Sequence, residues 1–151
     1  MPGLIQLFAR DAPKKAGRTG PLANIPIVSI VDDDESMRAV TCSLIRSLGL
    51  TAYAFASAEE FLKSPRLTET ACLISDIQMP KMNGIELQRA LLSQGHRIPI
   101  IFFTAFPDEA VQARAMEAGA IGFLCKPFDG QDMIRCLDIA MKAAGRDTSG
   151  N

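Results

Sequence analysis

The sequence predicts an α/β fold, doubly wound around a five-stranded parallel sheet. Three observations lead there. Five short apolar runs alternate with stretches whose apolar residues recur at helical spacing, which means parallel strands, right-handed crossovers and helices on both faces. The run Ile27 to Val31 is apolar except for Ser29, the signature of a strand covered on both sides. Four of the five runs are followed within two residues by Asp, Thr or Lys, as expected where the carboxyl ends of parallel strands form one edge.

The elements follow in order. Ile27 to Val31 is the first predicted strand and ends in Asp32-Asp33-Asp34-Glu35. Met37, Val40, Leu44, Ile45 and Leu48 then recur at helical spacing, and Gly49 stops that helix. Thr51 to Phe55 is a short strand. Ser57 and Glu60 stand at capping-box spacing and open a short helix with Phe61 and Leu62 inward. Cys72 to Ser75 is the third strand. It breaks at Asp76 into a loop with Pro80 and the turn Asn83-Gly84. Ile85, Leu87, Leu91 and Leu92 make the next helix face. Ile98 to Phe103 is a strongly apolar strand ending at Thr104. Pro107-Asp108 opens a helix carrying Val111, Met116 and Ala118, closed by Gly119. Ile121 to Leu124 is the fifth strand. Asp129 caps a last amphipathic helix with Met133, Ile134, Leu137, Ile139 and Met141.

Length and composition bound the rest. With 151 residues, 48% hydrophobic, and a mean hydropathy of +0.13, the chain is long and apolar enough for one folded domain. A net charge of −1 argues against nucleic-acid binding as the main task. Residues 1–24 stand apart. They hold three Pro, three Gly and four basic residues, with a short apolar patch at Leu4, Ile5, Leu7 and Phe8, and read as a flexible leader. The domain is expected over 25–143 and a polar, frayed tail over 144–151. The four cysteines, at 42, 72, 125 and 136, match no zinc spacing; three lie in apolar runs and read as buried free thiols in a reducing compartment. No run has the length of a membrane helix, and the N-terminus lacks the apolar core of a secretory signal, so the expected location is cytoplasmic.

The strand ends carry the chemistry. In a parallel sheet Asp32 and Asp33, Asp76, Thr104 and Lys126 converge on one pocket. Each has a plainer reading when taken singly. Asp33 or Asp34 caps the first helix, Asp76 caps a turn, Thr104 satisfies its own backbone, and Lys126 is a surface lysine. Together they are harder to dismiss. Clustered carboxylates raise one another's pKa and oppose folding, and a divalent cation removes that cost. An all-oxygen set without His or Cys suits Mg²⁺ or Mn²⁺. Metal, ammonium and hydroxyl are what a transferring phosphoryl group needs, and an Asp can be its nucleophile.

These residues resemble the receiver domain of bacterial two-component response regulators. The matching text is IVDDDESMR (30–38), LISDIQMPKMNGIEL (73–87), IIFFTAFPD (100–108) and AGAIGFLCKPF (118–128). The resemblance covers about 25–143 and implies a flavodoxin-like (βα)5 sheet of order 2-1-3-4-5. It makes Asp76 the phosphoacceptor. Asp33 and Asp76 would bind Mg²⁺ directly with the backbone carbonyl of Gln78, and Asp32 through water. Thr104 would contact the phosphoryl oxygens, Lys126 would pair with the phosphoryl group and Asp76, and Lys126-Pro127 would be cis. On phosphorylation Thr104 would move and Phe123, otherwise a plain core aromatic, would turn inward and reshape the 107–143 surface. Gln78 and Phe106 stand where the family tunes phosphoryl lifetime, and a bulky Phe106 is expected to restrict hydrolytic water.

The implied partners are a histidine kinase or phosphotransfer protein, a downstream partner or output domain meeting 107–143, and a second copy of the chain. Neither nucleic acid nor membrane is expected to be bound directly. The text around 103–128 is similar to receivers joined to helix-turn-helix domains in nitrogen-fixing bacteria. The chain reads either as a single-domain regulator or as the receiver of a longer one. Two alternatives remain. One is a docking module with an idle phosphate site. The other is a haloacid-dehalogenase-like phosphatase, in which Asp32-x-Asp34-x-Ser36 supplies the nucleophile; against it, the chain is short and 129–143 reads as a helix where that family needs a further acidic pair.

Overall fold

The computed structural model describes residues 25–149, with side chains through 143; the expected leader, 1–24, lies outside the described residues. The strands are β1 (Ile27–Val31), β2 (Thr51–Phe55), β3 (Thr70–Asp76), β4 (Ile100–Thr104) and β5 (Gly122–Cys125). The helices are α1 (Glu35–Ser47), α2 (Ala58–Leu62), α3 (Gly84–Ser93), α4 (Glu109–Glu117) and α5 (Gly130–Ser149), with a 3-10 turn at Pro65–Glu69. All strand pairs are parallel and the order is β2-β1-β3-β4-β5. The expected doubly wound sheet of order 2-1-3-4-5 is therefore observed.

Each strand feeds both faces because successive side chains alternate. Val28, Ile30, Ile74, Ile101 and Phe103 pack on one face against Cys42, Ile45 and Leu48 of the α1 segment and Met133, Leu137 and Ala140 of α5. Val31, Leu73, Ile100 and Phe102 pack on the other against Phe61 of α2, Leu87 and Leu91 of α3, and Ala115 of α4. Two buried layers explain why the central strands read as nearly continuous apolar runs.

The helix faces differ in detail from the sequence reading. Val40, Leu92, Met116 and Ile139 were expected inward but are 59%, 43%, 41% and 50% exposed. Ala118 is exposed too. In three of these cases the inward position belongs to a smaller neighbour: Thr41, Ala115 and Ala140 are fully buried. A reading that ranks positions by hydrophobicity selects the bulky residue, whereas close approach of helix to sheet selects the small one.

Other differences are local. The capping box of α2 closes one residue early: Ser57 Oγ accepts from Glu60 N–H, but the Glu60 carboxylate accepts from Ala56 N–H. Helix α5 runs to Ser149, past Ala143, where the sequence placed the end of the domain. Cys42 and Cys72 are buried, Cys136 is half-buried and Cys125 is exposed, and all four are free thiols. No helix among the described residues is long and apolar enough to cross a membrane.

Candidate functional site

The carboxyl ends of β1, β3, β4 and β5 bring Asp32, Asp33, Asp76, Thr104 and Lys126 to one edge of the sheet. One oxygen from each of Asp32, Asp33 and Asp76 lies within 4.8 Å of the others. Asp32 and Asp76 are buried and Asp33 is exposed. Register explains the convergence. Asp76 pairs with Phe103 across β3 and β4, one residue before Thr104, and Thr104 pairs with Cys125, one residue before Lys126.

Local bonds fix each side chain. Asp34 caps α1, its carboxylate accepting from the N–H groups of Ser36 and Met37, so this is the acid that serves as cap. Its own N–H donates to Asp32 Oδ1 at 2.9 Å. Arg38 reaches back from α1 and donates to the Asp32 carbonyl at 2.8 Å. Lys126 N–H donates to the Thr104 carbonyl at 2.7 Å, which docks the end of β5 on β4. The Lys126-Pro127 bond is cis, as expected.

Helix α3 is seated against the acceptor strand. Asn83 and Glu86 form a complete capping box at its start. Gly84 N–H donates to the Ile77 carbonyl at 2.9 Å. A Cβ at Gly84 would lie 2.5 Å from the carbonyl oxygen of Asp76, so only glycine allows this approach.

One ammonium serves two buried acids. Lys126 Nζ stands 3.3 Å from Asp32 Oδ2 and 3.3 Å from Asp76 Oδ2. It also sits 4.7 Å from the centre of the Phe103 ring. Asp76 Oδ1 is buried without a hydrogen-bond partner among the described residues. Burial first, and then the neighbouring Asp32 charge, push the Asp76 carboxyl up from 3.8 to about 6, against the pull of Lys126 and the Gln78 N–H. Burial works against the charge on Lys126, but Asp32 and Asp76 outweigh it and hold its pKa above the ordinary value.

An unsatisfied buried carboxylate oxygen beside two further acids is a poor arrangement in isolation and a good one for a hard divalent cation. The residues present therefore fit Mg²⁺. Thr104 is fully buried; its hydroxyl donates to Gln78 Oε1 at 2.5 Å and accepts from Phe106 N–H at 3.0 Å. Phe106 itself is 72% exposed. Phe123 is half-buried, its ring 6.4 Å from that of Phe102.

Every strand-end residue picked from the sequence lies at this edge. The sequence reading missed Gly84 and Arg38. It also missed the hydrogen bond from Thr104 to the Gln78 side chain, having expected of that residue a metal-binding backbone carbonyl and an influence on phosphoryl lifetime. A glycine opening a helix after a strand-end acid was the available signal for Gly84. No spacing rule announces the other two.

Comparison with known proteins bears on the whole domain. The family model described as response regulator receiver domain matches residues 28–138. The response regulator protein TmoT of Ectopseudomonas mendocina is 38% identical over 138 residues, which is 91% of this chain and 63% of that protein. Nodulation protein W of Bradyrhizobium diazoefficiens is 42% identical over 121 residues, covering 80% of this chain and 52% of its own length. A low-resolution structure of the response regulator StyR matches with a TM-score of 0.78 at 39% identity, over 83% of this chain and 64% of that one. The chain thus spans between half and two thirds of the length of these relatives.

Proposed function

The chain belongs to the response regulator receiver domain family of two-component systems, and on that premise we propose that it accepts a phosphoryl group on Asp76 from a phosphohistidine. The donor would be a histidine kinase or phosphotransfer protein. The observation that carries this reading is the pair of buried acids sharing Lys126, with one Asp76 oxygen left unsatisfied.

A carboxylate oxygen of Asp76 attacks phosphorus as the P–N bond to the donor imidazole breaks. The electron pair leaves with the imidazole nitrogen, which takes up a proton, and an acyl phosphate remains. Lys126 already faces the reacting carboxylate and offsets the charge that arrives with the phosphoryl group. Thr104 offers a hydroxyl to a phosphoryl oxygen. Asp32, Asp33, Asp76 and the Gln78 carbonyl would hold Mg²⁺, which when bound supplies positive charge against the phosphoryl oxygens.

Phosphorylation adds close to two negative charges at this edge. Drawing Thr104 toward them empties space beside β4, and Phe123 turns inward. The 107–143 surface then changes for an output domain, a downstream partner or a second copy of the chain. The setting is the bacterial cytoplasm, the domain is 25–143, and the chemistry is confined to gaining and losing the phosphoryl group rather than turnover of a substrate. A phosphatase using Asp32 as nucleophile fits less well, because Asp32 is fully buried and both its oxygens are engaged, by Asp34 N–H and Lys126.

The test is intact mass after incubation with acetyl phosphate, with and without Mg²⁺, on the unsubstituted chain and on Asp76→Asn. A Mg²⁺-dependent gain of one phosphoryl group that Asp76→Asn loses supports the proposal. No gain on the unsubstituted chain under any condition leaves the docking module as the better reading.

A further inference from the structure

We propose that the Gln78 side chain is a latch on Thr104, which the phosphoryl group must release before the domain can switch. The inference rests on the phosphoacceptor reading of Asp76 and adds to it a residue that sets how readily the switched state is reached.

A threonine hydroxyl has one proton to give and two lone pairs to receive. In this structure the proton goes to Gln78 Oε1 at 2.5 Å, and one lone pair takes the Phe106 N–H at 3.0 Å. A phosphoryl oxygen on Asp76 is an acceptor only, so it needs the same proton. One O–H cannot serve two acceptors held in different places. Gln78 and the phosphoryl group therefore compete for Thr104, and the carboxamide favours the unswitched position.

The placement of Gln78 makes this competition direct. It stands two residues after the acceptor, and its side chain holds Thr104. One residue thus links the loop that follows the acceptor to the group that must move toward it. Gln78 is exposed, and it borders an open cleft of about 560 Å³ that is also lined by Ile77, Met79, Asn83 and Val111. The carboxamide can turn into that cleft and be satisfied by water once Thr104 leaves. Releasing it costs the difference between two hydrogen bonds, which makes the latch weak enough to be opened by a charged acceptor. The Phe106 N–H is tied to the same hydroxyl, so moving Thr104 also frees the first turn of chain leading to α4.

The experiment is a double-mutant cycle read by affinity for beryllofluoride, a tetrahedral phosphoryl mimic, in the presence of Mg²⁺, measured by isothermal titration calorimetry. Gln78→Met keeps length and removes the acceptor. Thr104→Val keeps shape and removes the hydroxyl, and Thr104→Ala replaces it if that variant does not fold. With Thr104 in place, Gln78→Met is expected to bind the mimic about fivefold more tightly, the equilibrium equivalent of one ordinary net hydrogen bond. In the Thr104→Val background the same substitution should change affinity by less than about twofold, since no hydroxyl remains to be released. Equal or weaker binding by Gln78→Met overturns the latch. So does an undiminished gain in the Thr104→Val background, which would mean that Gln78 acts on the anion itself. Saturable binding by the unsubstituted chain in either case leaves the phosphoacceptor reading standing. No binding by any variant overturns that reading and the latch with it.

Discussion

The ammonium nitrogen of Lys126 lies 3.3 Å from Oδ2 of Asp76, while Oδ1 of the same carboxylate is buried without a hydrogen-bond partner among the described residues. The ion pair does not fully offset burial and the charge of Asp32, so the Asp76 carboxyl titrates near 6 rather than 3.8. For an acid with a raised folded pKa, the native state binds the proton more tightly than the unfolded chain. Stability is therefore greatest below the unfolded pKa and falls as pH rises from about 4 to about 6. Asp76→Asn carries no such penalty. In metal-free buffer it should raise stability at pH 7.5 by up to about 3 kcal/mol, a figure already net of the lost pair to Lys126. The gain should shrink toward pH 4.5. Calorimetric Tm values at the two pH values check this; an equal gain at both would show that the Asp76 charge is not the cause.

Mg²⁺ should stabilise the fold by relieving the same crowding. At a concentration one hundred times its Kd the gain is about 2.7 kcal/mol. Asp33 is exposed, so Asp33→Ala should change metal-free stability little and remove most of the Mg²⁺-dependent rise in Tm. A full rise in Asp33→Ala would exclude that side chain from the metal site.

Gly84→Ala should be costly out of proportion to its size. The added methyl meets backbone on one side, 2.5 Å from the Asp76 carbonyl oxygen, and the Phe102 ring on the other, 3.2 Å away. Neither is a flexible chain end, so α3 must move off β3. A loss of about 1–3 kcal/mol in urea unfolding is expected. A loss under about 0.5 kcal/mol, the size of an ordinary surface change, would mean that the helix start adjusts freely.

Phe106→Ala separates stability from lifetime. The ring is 72% exposed, and the backbone N–H of Phe106, which the substitution keeps, still donates to the Thr104 hydroxyl. Unfolding free energy should change by less than about 0.5 kcal/mol. Loss of the phosphoryl group, followed by intact mass after removal of donor, should be faster than in the unsubstituted chain. An unchanged or slower rate would count against a shielding role for the ring.

Lys81 has a φ of +66°, the left-handed region that L side chains adopt only at a cost. Lys81→Gly removes that cost but gives the unfolded chain more freedom. The balance should favour the variant by roughly 0.5 kcal/mol, visible as a small rise in urea midpoint. A clear fall would mean that the lysine side chain stabilises the loop by contacts of its own.

The sequence by itself determined the sheet, its alternation with helices, and the membership of the strand edge. Short apolar runs with no alternation, alternating with helical patterns, read as strands covered on both faces, and parallel strands bring their ends together, so Asp32, Asp33, Asp76, Thr104 and Lys126 could be collected by position alone. Only the tertiary structure decided which side of each helix is buried and how the edge is wired. Thr41, Ala115 and Ala140 displace Val40, Met116 and Ile139 from the core because packing rewards fit at short distance, which hydrophobicity does not encode. The bond from Thr104 to Gln78 joins residues 26 apart in sequence and depends on side-chain geometry at the ends of two strands. A hydrogen bond needs its atoms placed to a few tenths of an ångström, and only the packed sheet supplies that placement.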